Sequence, residues 1–262
     1  MVICSRPARR LQCDASYVSL VCLVNVHRKI IDMKHVLYFL MAALSLVACS
    51  GKPSPTIFLS FTESSPDGDF PVRMLVNEKY LRIEDGDAHD GFIVFDRAAR
   101  TIYSVSHTGK STLVIHARPV TLSAPKQFEH KVERGKEALP SVDGKTVTHY
   151  RLLTNRERCF DVYAAEGLLP EAVTALREYH ETLAGEQAKM QTNMPPAMQS
   201  ACDLADQVLL PARYLAYGFP VRQVNRAGVT RQLVSYKRDV PVEKGIFDLP
   251  KDYKEITTSK LR

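Results

Sequence analysis

Between residues 72 and 115, short apolar segments alternate with polar turns. VRMLV (72–76) and YLRI (80–83) show partial alternation of apolar and polar side chains, the pattern of a strand with one buried face. EDGDAHDG (84–91) is turn-forming, and the compact apolar run FIVF (92–95) follows it. DRAAR (96–100) turns the chain again into TIYSV (101–105), and HTGK (107–110) leads to TLVI (112–115). This rhythm predicts three to four antiparallel strands joined by short turns, a meander. Asp143-Gly144 is a further hairpin signal, with strand candidates at 145–153 and 159–163. At Pro170 the period changes. Pro170 suits the first turn of a helix, where its missing N–H costs little, and Glu171 complements the helix dipole. Leu169, Val173, Leu176 and Leu183 fall on one helical face, with Lys189 in the closing turn. Pro195-Pro196 breaks this helix. Met198, Ala201, Cys202, Ala205, Val208 and Leu209 form a second apolar stripe, which Pro211 ends. Strands resume at 217–224 and 229–237, the latter with a basic, polar outer face, and the chain closes on IFDLPKDY (246–253). A sheet meander, a late helical insert and returning strands make an α+β fold.

Ahead of this domain the pattern is different. Residues 33–49 read MKHVLYFLMAALSLVAC, a basic start (Lys34, His35) followed by an uncharged apolar run. As a helix, 36–48 spans roughly 20 Å at about 1.5 Å per residue, short of the about 30 Å of a bilayer core. It reads as a signal h-region rather than a permanent span. Its ending, Leu46-Val47-Ala48-Cys49, resembles the lipobox of bacterial lipoproteins. The resemblance implies diacylglyceryl transfer to the Cys49 sulfur, cleavage between Ala48 and Cys49, and acylation of the new amino group. A single acyl chain binds membranes only marginally, whereas two or more anchor a protein stably. Residues 33–48 are therefore expected to be a lipoprotein signal peptide, and 49–55 the lipidated Cys49 with a short tether. The competing reading is an ordinary signal peptide, or a short anchor, with an incidental cysteine. Residues 1–32 are expected to be an upstream extension from a mis-assigned start, with Met33 the initiator. A second possibility is that the apolar stretch 17–26, behind Arg9-Arg10, is itself a signal segment. Residues 56–262 then form a single α+β domain.

Charge changes meaning with this division. The whole chain has 35 Lys+Arg and 29 Asp+Glu, a net of +6. Six of the basic and two of the acidic residues fall within 1–49, leaving 29 against 27, a net of +2, on the rest. A nucleic-acid partner is excluded on charge and on compartment. Once Cys49 is committed to lipid, only Cys159 and Cys202 follow it. Two remaining thiols in an exported chain read as one disulfide. The alternative is two buried free cysteines, since Cys202 lies on an apolar helical stripe.

Candidate chemistry is sparse. Asp85, Asp87 and Asp90 resemble a calcium loop, but an EF-type loop needs acids at positions 1, 3 and 5, Gly at 6 and Glu at 12. Counted from Asp85, those last three positions hold His89, Asp90 and Asp96, so a solvated turn is the better reading. The histidines are scattered, with no metal-ligand spacing on the predicted helices, and His116 ends an apolar strand as a structural side chain. HExxH, CxxC, GxSxG and phosphate-loop motifs do not occur. No catalytic residue, metal site or cofactor is predicted, and the chain is read as a non-enzyme.

DGFIVFDRAARTIYSV (90–105) and FDLPKDY (247–253) resemble sequences of uncharacterised proteobacterial lipoproteins. More distantly, the pattern is similar to the half-barrel fold of the carrier and receptor proteins of lipoprotein localisation. That likeness implies a curved antiparallel sheet, the half-barrel, wrapped around helices and able to hold an acyl chain. By the Gram-negative sorting rule that the family brings, Ser50 after the lipidated cysteine implies the outer membrane, facing the periplasm. Three functions follow. A tethered scaffold or adaptor with an envelope protein partner would have the two apolar stripes plugging the sheet. A carrier of lipid or another hydrophobic ligand would show a continuous apolar cavity. A hydrolase would show a polar cleft with a perturbed titratable group. The two long stripes must be buried somewhere, which favours the scaffold.

Overall fold

The strand-and-turn rhythm folds as an antiparallel meander of six strands: β1 (Ile57–Ser65), β2 (Gly68–Val76), β3 (Tyr80–Asp85), β4 (Gly91–Asp96), β5 (Thr101–Ser106) and β6 (Ser111–His116). A second meander, β7 (His130–Arg134), β8 (Val147–Thr154) and β9 (Glu157–Ala165), precedes the helix α1 (Pro170–Asn193). After α1 come the short helix α2 (Ala201–Asp203), a π-helical turn at Leu204–Leu209 and a 3-10 turn at Arg213–Tyr217. The strands β10 (Phe219–Asn225), β11 (Thr230–Lys237) and β12 (Lys254–Thr257) complete the chain. This computed structural model describes residues 55–85, 90–125, 128–195 and 198–258, all within one compact unit, Ser54–Arg262. The expected extension 1–32, the expected signal peptide 33–48, Cys49, Ser50, Asp87 and His89 lie outside the described residues.

All twelve strands join one open sheet, ordered β12-β6-β5-β4-β3-β2-β1-β11-β10-β9-β8-β7. Every pairing is antiparallel except that of β12 with β6. The two meanders meet where β11 returns beside β1. Both outer strands are charged, with Lys131, Glu133 and Arg134 on β7 and Lys254 and Glu255 on β12. Charge along an edge discourages pairing with another chain.

One face of the sheet carries the main core. Leu59, Met74, Leu81, Phe95, Ile102, Ile115, Leu152 and Val162 pack there with Ala172, Ala175 and Leu176 of α1. The buried side of α1 is built largely from small residues, including Ala184, Gly185 and Ala188. Val173, expected on the buried face, is only half-buried. Small residues on the buried side allow close approach: a Cβ on Gly185 would meet the Arg118 carbonyl oxygen at 2.5 Å. Helix α1 also runs on past Lys189 to Asn193, and the Lys189 ammonium donates to the Thr258 carbonyl at 3.1 Å. Met194 is extended, as suits a residue ahead of a proline pair. The second stripe departs further from expectation. It forms a short α2 and a π-helical turn instead of a regular helix, and Met198 is 67% exposed.

The opposite face is covered over β3–β5 by the C-terminal segment. Phe247 stacks on Tyr80 at 5.3 Å, Arg82 donates to the Ile246 carbonyl at 2.7 Å, and Tyr253 meets His107 Nδ1 at 2.9 Å. Val94, Val105 and Val114 are buried on this side, while their neighbours Phe95, Ile102 and Ile115 belong to the main core. Burial on both faces explains why FIVF is a continuous apolar run rather than an alternating one. Among the described residues no helix is long and apolar enough to cross a membrane.

Candidate functional site

Helical geometry aligns side chains three and four residues apart, so Leu176, His180, Leu183 and Gln187 share one stripe of α1. The stripe begins apolar, over the core, and turns polar toward the C-terminal half. There it faces β9, β10 and β11 across a cleft of about 450 Å³. Phe160 lines it from β9, Tyr214 from the 3-10 turn, Asp203, Asp206 and Gln207 from the α2 segment, and Gln223, Asn225, Arg226 and Arg231 from the β10–β11 hairpin.

A bulge sets one wall. In the β8/β9 ladder Leu152 faces Phe160 and Leu153 faces Arg158, so Cys159 is the extra residue. Cys159 and Cys202 meet at disulfide geometry, sulfur to sulfur 2.08 Å and Cα to Cα 5.1 Å. The bridge ties the α2 segment to β9, and both cysteines are almost fully buried. The geometry of this pair is compatible with the disulfide expected from the two thiols.

Every charged side chain lining the cleft has a partner. Asp206 Oδ1 lies 2.5 Å from Arg213 Nε, Arg231 binds Glu63 at 2.6 Å, and Arg226 reaches Glu157 at 3.2 Å and Asp203 at 3.8 Å. The four carboxamides are different. Among the described residues, the side chains of Gln187, Gln207, Gln223 and Asn225 make one internal hydrogen bond, Asn225 Oδ1 accepting from the Val229 N–H at 3.0 Å. Gln223 Oε1 and the second Asp206 oxygen, Oδ2, are buried in the cleft without a hydrogen-bond partner.

At the floor, His180 Nε2 and the Tyr214 hydroxyl share a 2.8 Å hydrogen bond. Burial, helped by the Arg231 charge, pulls His180 down to about 4. The Tyr214 hydroxyl is pushed well above its ordinary value by burial. Asp206 is pushed up to about 6 by burial, against the pull of Arg213. These shifts oppose each other in stability. Between about 4 and 6.5 native His180 binds fewer protons than the unfolded chain, so its contribution is complete above about 6.5 and is lost as pH falls through that window. Between 3.8 and about 6 native Asp206 binds more protons than the unfolded chain, so acid favours its folded form. His180→Gln keeps a hydrogen-bonding group near Tyr214 without titrating. Relative to the unsubstituted protein, the variant is expected to gain up to about 3 kcal/mol between pH 6.5 and 4, at about 1.36 kcal/mol per unit. Urea unfolding of both proteins across that range measures it, and a pH-independent difference contradicts the assignment.

The remaining histidines among the described residues are held structurally. His116 Nδ1 meets Thr101 Oγ1 at 3.1 Å. His149 lies between Glu137 (2.6 Å) and Asp161 (2.8 Å) and stacks on Tyr163. Glu137 is held below the usual carboxylate range by its own backbone N–H and by His149. No group of three or more His, Cys, Asp or Glu side chains among the described residues is placed to hold a metal ion. His180 and Gln187 are not among the residues expected at a site, yet two polar residues continuing an apolar stripe at helical spacing are a usable signal. Gln207, Gln223 and Asn225 carry no local signal.

The chain matches no protein-family model, and no curated protein matches it. Among solved structures it is similar to an uncharacterized conserved protein from Thermus thermophilus, at 12% identity and a TM-score of 0.41, covering 78% of this chain and 91% of that one. It is also similar to PNGF-II in its C2 crystal form, at 9% identity and a TM-score of 0.40. That match covers 79% of this chain and 32% of PNGF-II, so the chain spans about a third of that protein's length.

Proposed function

We propose that this chain is a lipid-anchored protein of the cell envelope, held by Cys49 in the outer membrane and acting as a tethered adaptor in the periplasm. Its domain is a half-barrel already filled by its own helical insert. The observation that supports this reading is the packing of the sheet's core face. Ala172, Ala175, Leu176, Tyr214 and Leu215 share one apolar core with the strands. The space left between Phe61, Met74, Leu176 and Tyr214 is about 10 Å³, about the limit for a single water. An acyl chain has no apolar lumen there. A second opening, of about 520 Å³ at the start of α1, is rimmed by the charged Glu78, Arg97, Glu171, Arg238 and Asp239. The cleft beside the second half of α1 is lined by amides and paired charges, which suits recognition of polar groups. It also holds the perturbed groups that a hydrolase would use, but no serine or threonine lines it and both of its cysteines are bonded.

Two measurements test the proposal. Cells grown with an alkyne-tagged fatty acid are expected to label the protein, and Cys49→Ser is expected to abolish labelling and move the protein from the membrane to the soluble fraction. Unchanged membrane association in Cys49→Ser overturns the anchor. Native mass spectrometry of the soluble variant, released gently from the periplasm, is expected to give the bare mass. A stoichiometric lipid adduct overturns the adaptor in favour of a carrier.

A further inference from the structure

The cleft between α1 and the strands β9 to β11 has a chemical character that the adaptor reading does not supply. Its charges are spent on one another: Asp206 on Arg213, Arg226 on Asp203 and Glu157, Arg231 on Glu63. Among the described residues, no unpaired charge is offered there to an anion or a cation. What remains available are Asp206 Oδ2, an acceptor left over from the Arg213 pair, and neutral carboxamides, each with an acceptor oxygen and two donor hydrogens. Four of them, Gln187, Gln207, Gln223 and Asn225, surround one opening, and their internal bonding is the single Asn225 contact. Beside them Phe160 is braced by Tyr214, ring centroids 5.9 Å apart at 25°.

The geometry points to a binding site for a neutral saccharide. Hydroxyl groups both donate and accept, matching the double character of carboxamides without requiring charge. The π face of an aromatic ring carries negative potential, which suits the polarised C–H face of a pyranose against Phe160. A volume of about 450 Å³ lies within the usual range of small-ligand sites, about 300–1,000 Å³, and has room for a short saccharide. A peptide is less well served. Strands β9, β10 and β11 are interior to the sheet, with hydrogen-bonded neighbours on both sides, so no free strand edge at the cleft takes up an extended backbone. A fatty acid would set its chain against amides and ion pairs, leaving them without hydrogen-bond partners. The site does not depend on the Cys49 anchor, so its failure leaves the anchoring and adaptor tests untouched.

Saturation-transfer NMR on the full chain, purified in a detergent without a sugar head group, tests the site. The probes are glucose, galactose, mannose and N-acetylglucosamine with their β1,4-linked disaccharides. Transfer to at least one of these is expected. Gln187→Leu combined with Gln207→Leu changes two side chains at the mouth of the cleft. Loss of about two hydrogen bonds is expected to weaken binding at least about tenfold while the thermal midpoint holds. The control is Lys251→Ala, in the C-terminal segment away from the cleft, and it is expected to bind normally. Absence of transfer to every sugar overturns the proposal. Equal binding by the double variant overturns it as well.

Discussion

Replacing Cys202 with serine is expected to lower the stability of the domain by about 4 kcal/mol. In the chain-entropy picture a bridge restricts the unfolded ensemble in proportion to the logarithm of the loop it closes, and a separation of 43 residues gives about 4 kcal/mol at 25 °C. That is a large share of a typical total of about 5–15 kcal/mol. The loss has a local side too. Cys202 is the link holding α2 and its π-helical turn against β9, and that segment carries Asp203, Asp206 and Gln207 into the cleft. Urea unfolding of Cys202→Ser and Cys159→Ser measures the change, and the two variants should agree because each removes the same bond. Cys159 and Cys202 are 1% and 2% exposed, so reductant added to the native protein is expected to act slowly, through opening of the fold. A variant as stable as the parent contradicts a role for the bridge in holding the domain.

Leu176→Asp is expected to prevent folding. Leu176 is 6% exposed and sits in the shared core of α1 and the sheet. An unpaired carboxylate at that position faces a desolvation penalty of several kcal/mol, added to the loss of the leucine's own burial of about 2–5 kcal/mol. Together these approach or exceed the stability of an ordinary domain. Circular dichroism and soluble yield report the outcome. Leu176→Met, close in volume, is expected to cost less than about 1.5 kcal/mol, and Val173→Asp, half-buried on the same helix, less than Leu176→Asp. A well-folded Leu176→Asp protein means that α1 does not fill the sheet, and the adaptor reading falls with it.

Much of this architecture is legible in the residues. Apolar runs mark all of β2 to β6, because their turns are short and their partners adjacent, although the rhythm predicts only three to four strands there against the five formed. Helix α1 is marked by Pro170 and its acidic first turn, and the bridge by the arithmetic of two thiols. The other elements fail for identifiable reasons. In β1, Phe58 interrupts the alternation of Ile57, Leu59 and Phe61. The turn that follows, Pro66-Asp67 before Gly68, is a usable signal. Strands β7 (HKVER) and β12 (KEIT) are short, charged and largely exposed. Their pairing is a matter of backbone hydrogen bonds, which leave no hydrophobic trace. The buried face of α1 differs from the apolar stripe because alanine and glycine, weak in any apolar pattern, are what close contact requires. The cleft is invisible in the sequence for a topological reason. Its amides come from α1, the π-helical turn and β10, and they meet only because the chain crosses from β9 to β10 through the helical insert.

The position of β1 in the strand order bears on how the protein is made. It is the first strand of the domain to be synthesised, yet it lies between β2 and β11 in the sheet. Its pairing with β11 joins Glu63 to Arg231, 168 residues later. Contacts of such separation slow folding, because the cost of closing the loop precedes any gain from it. During N-to-C synthesis the early meander is complete while one side of β1 still presents unpaired N–H and C=O groups. An open strand edge is where chains associate wrongly. The hazard lasts until residues 230–237 arrive.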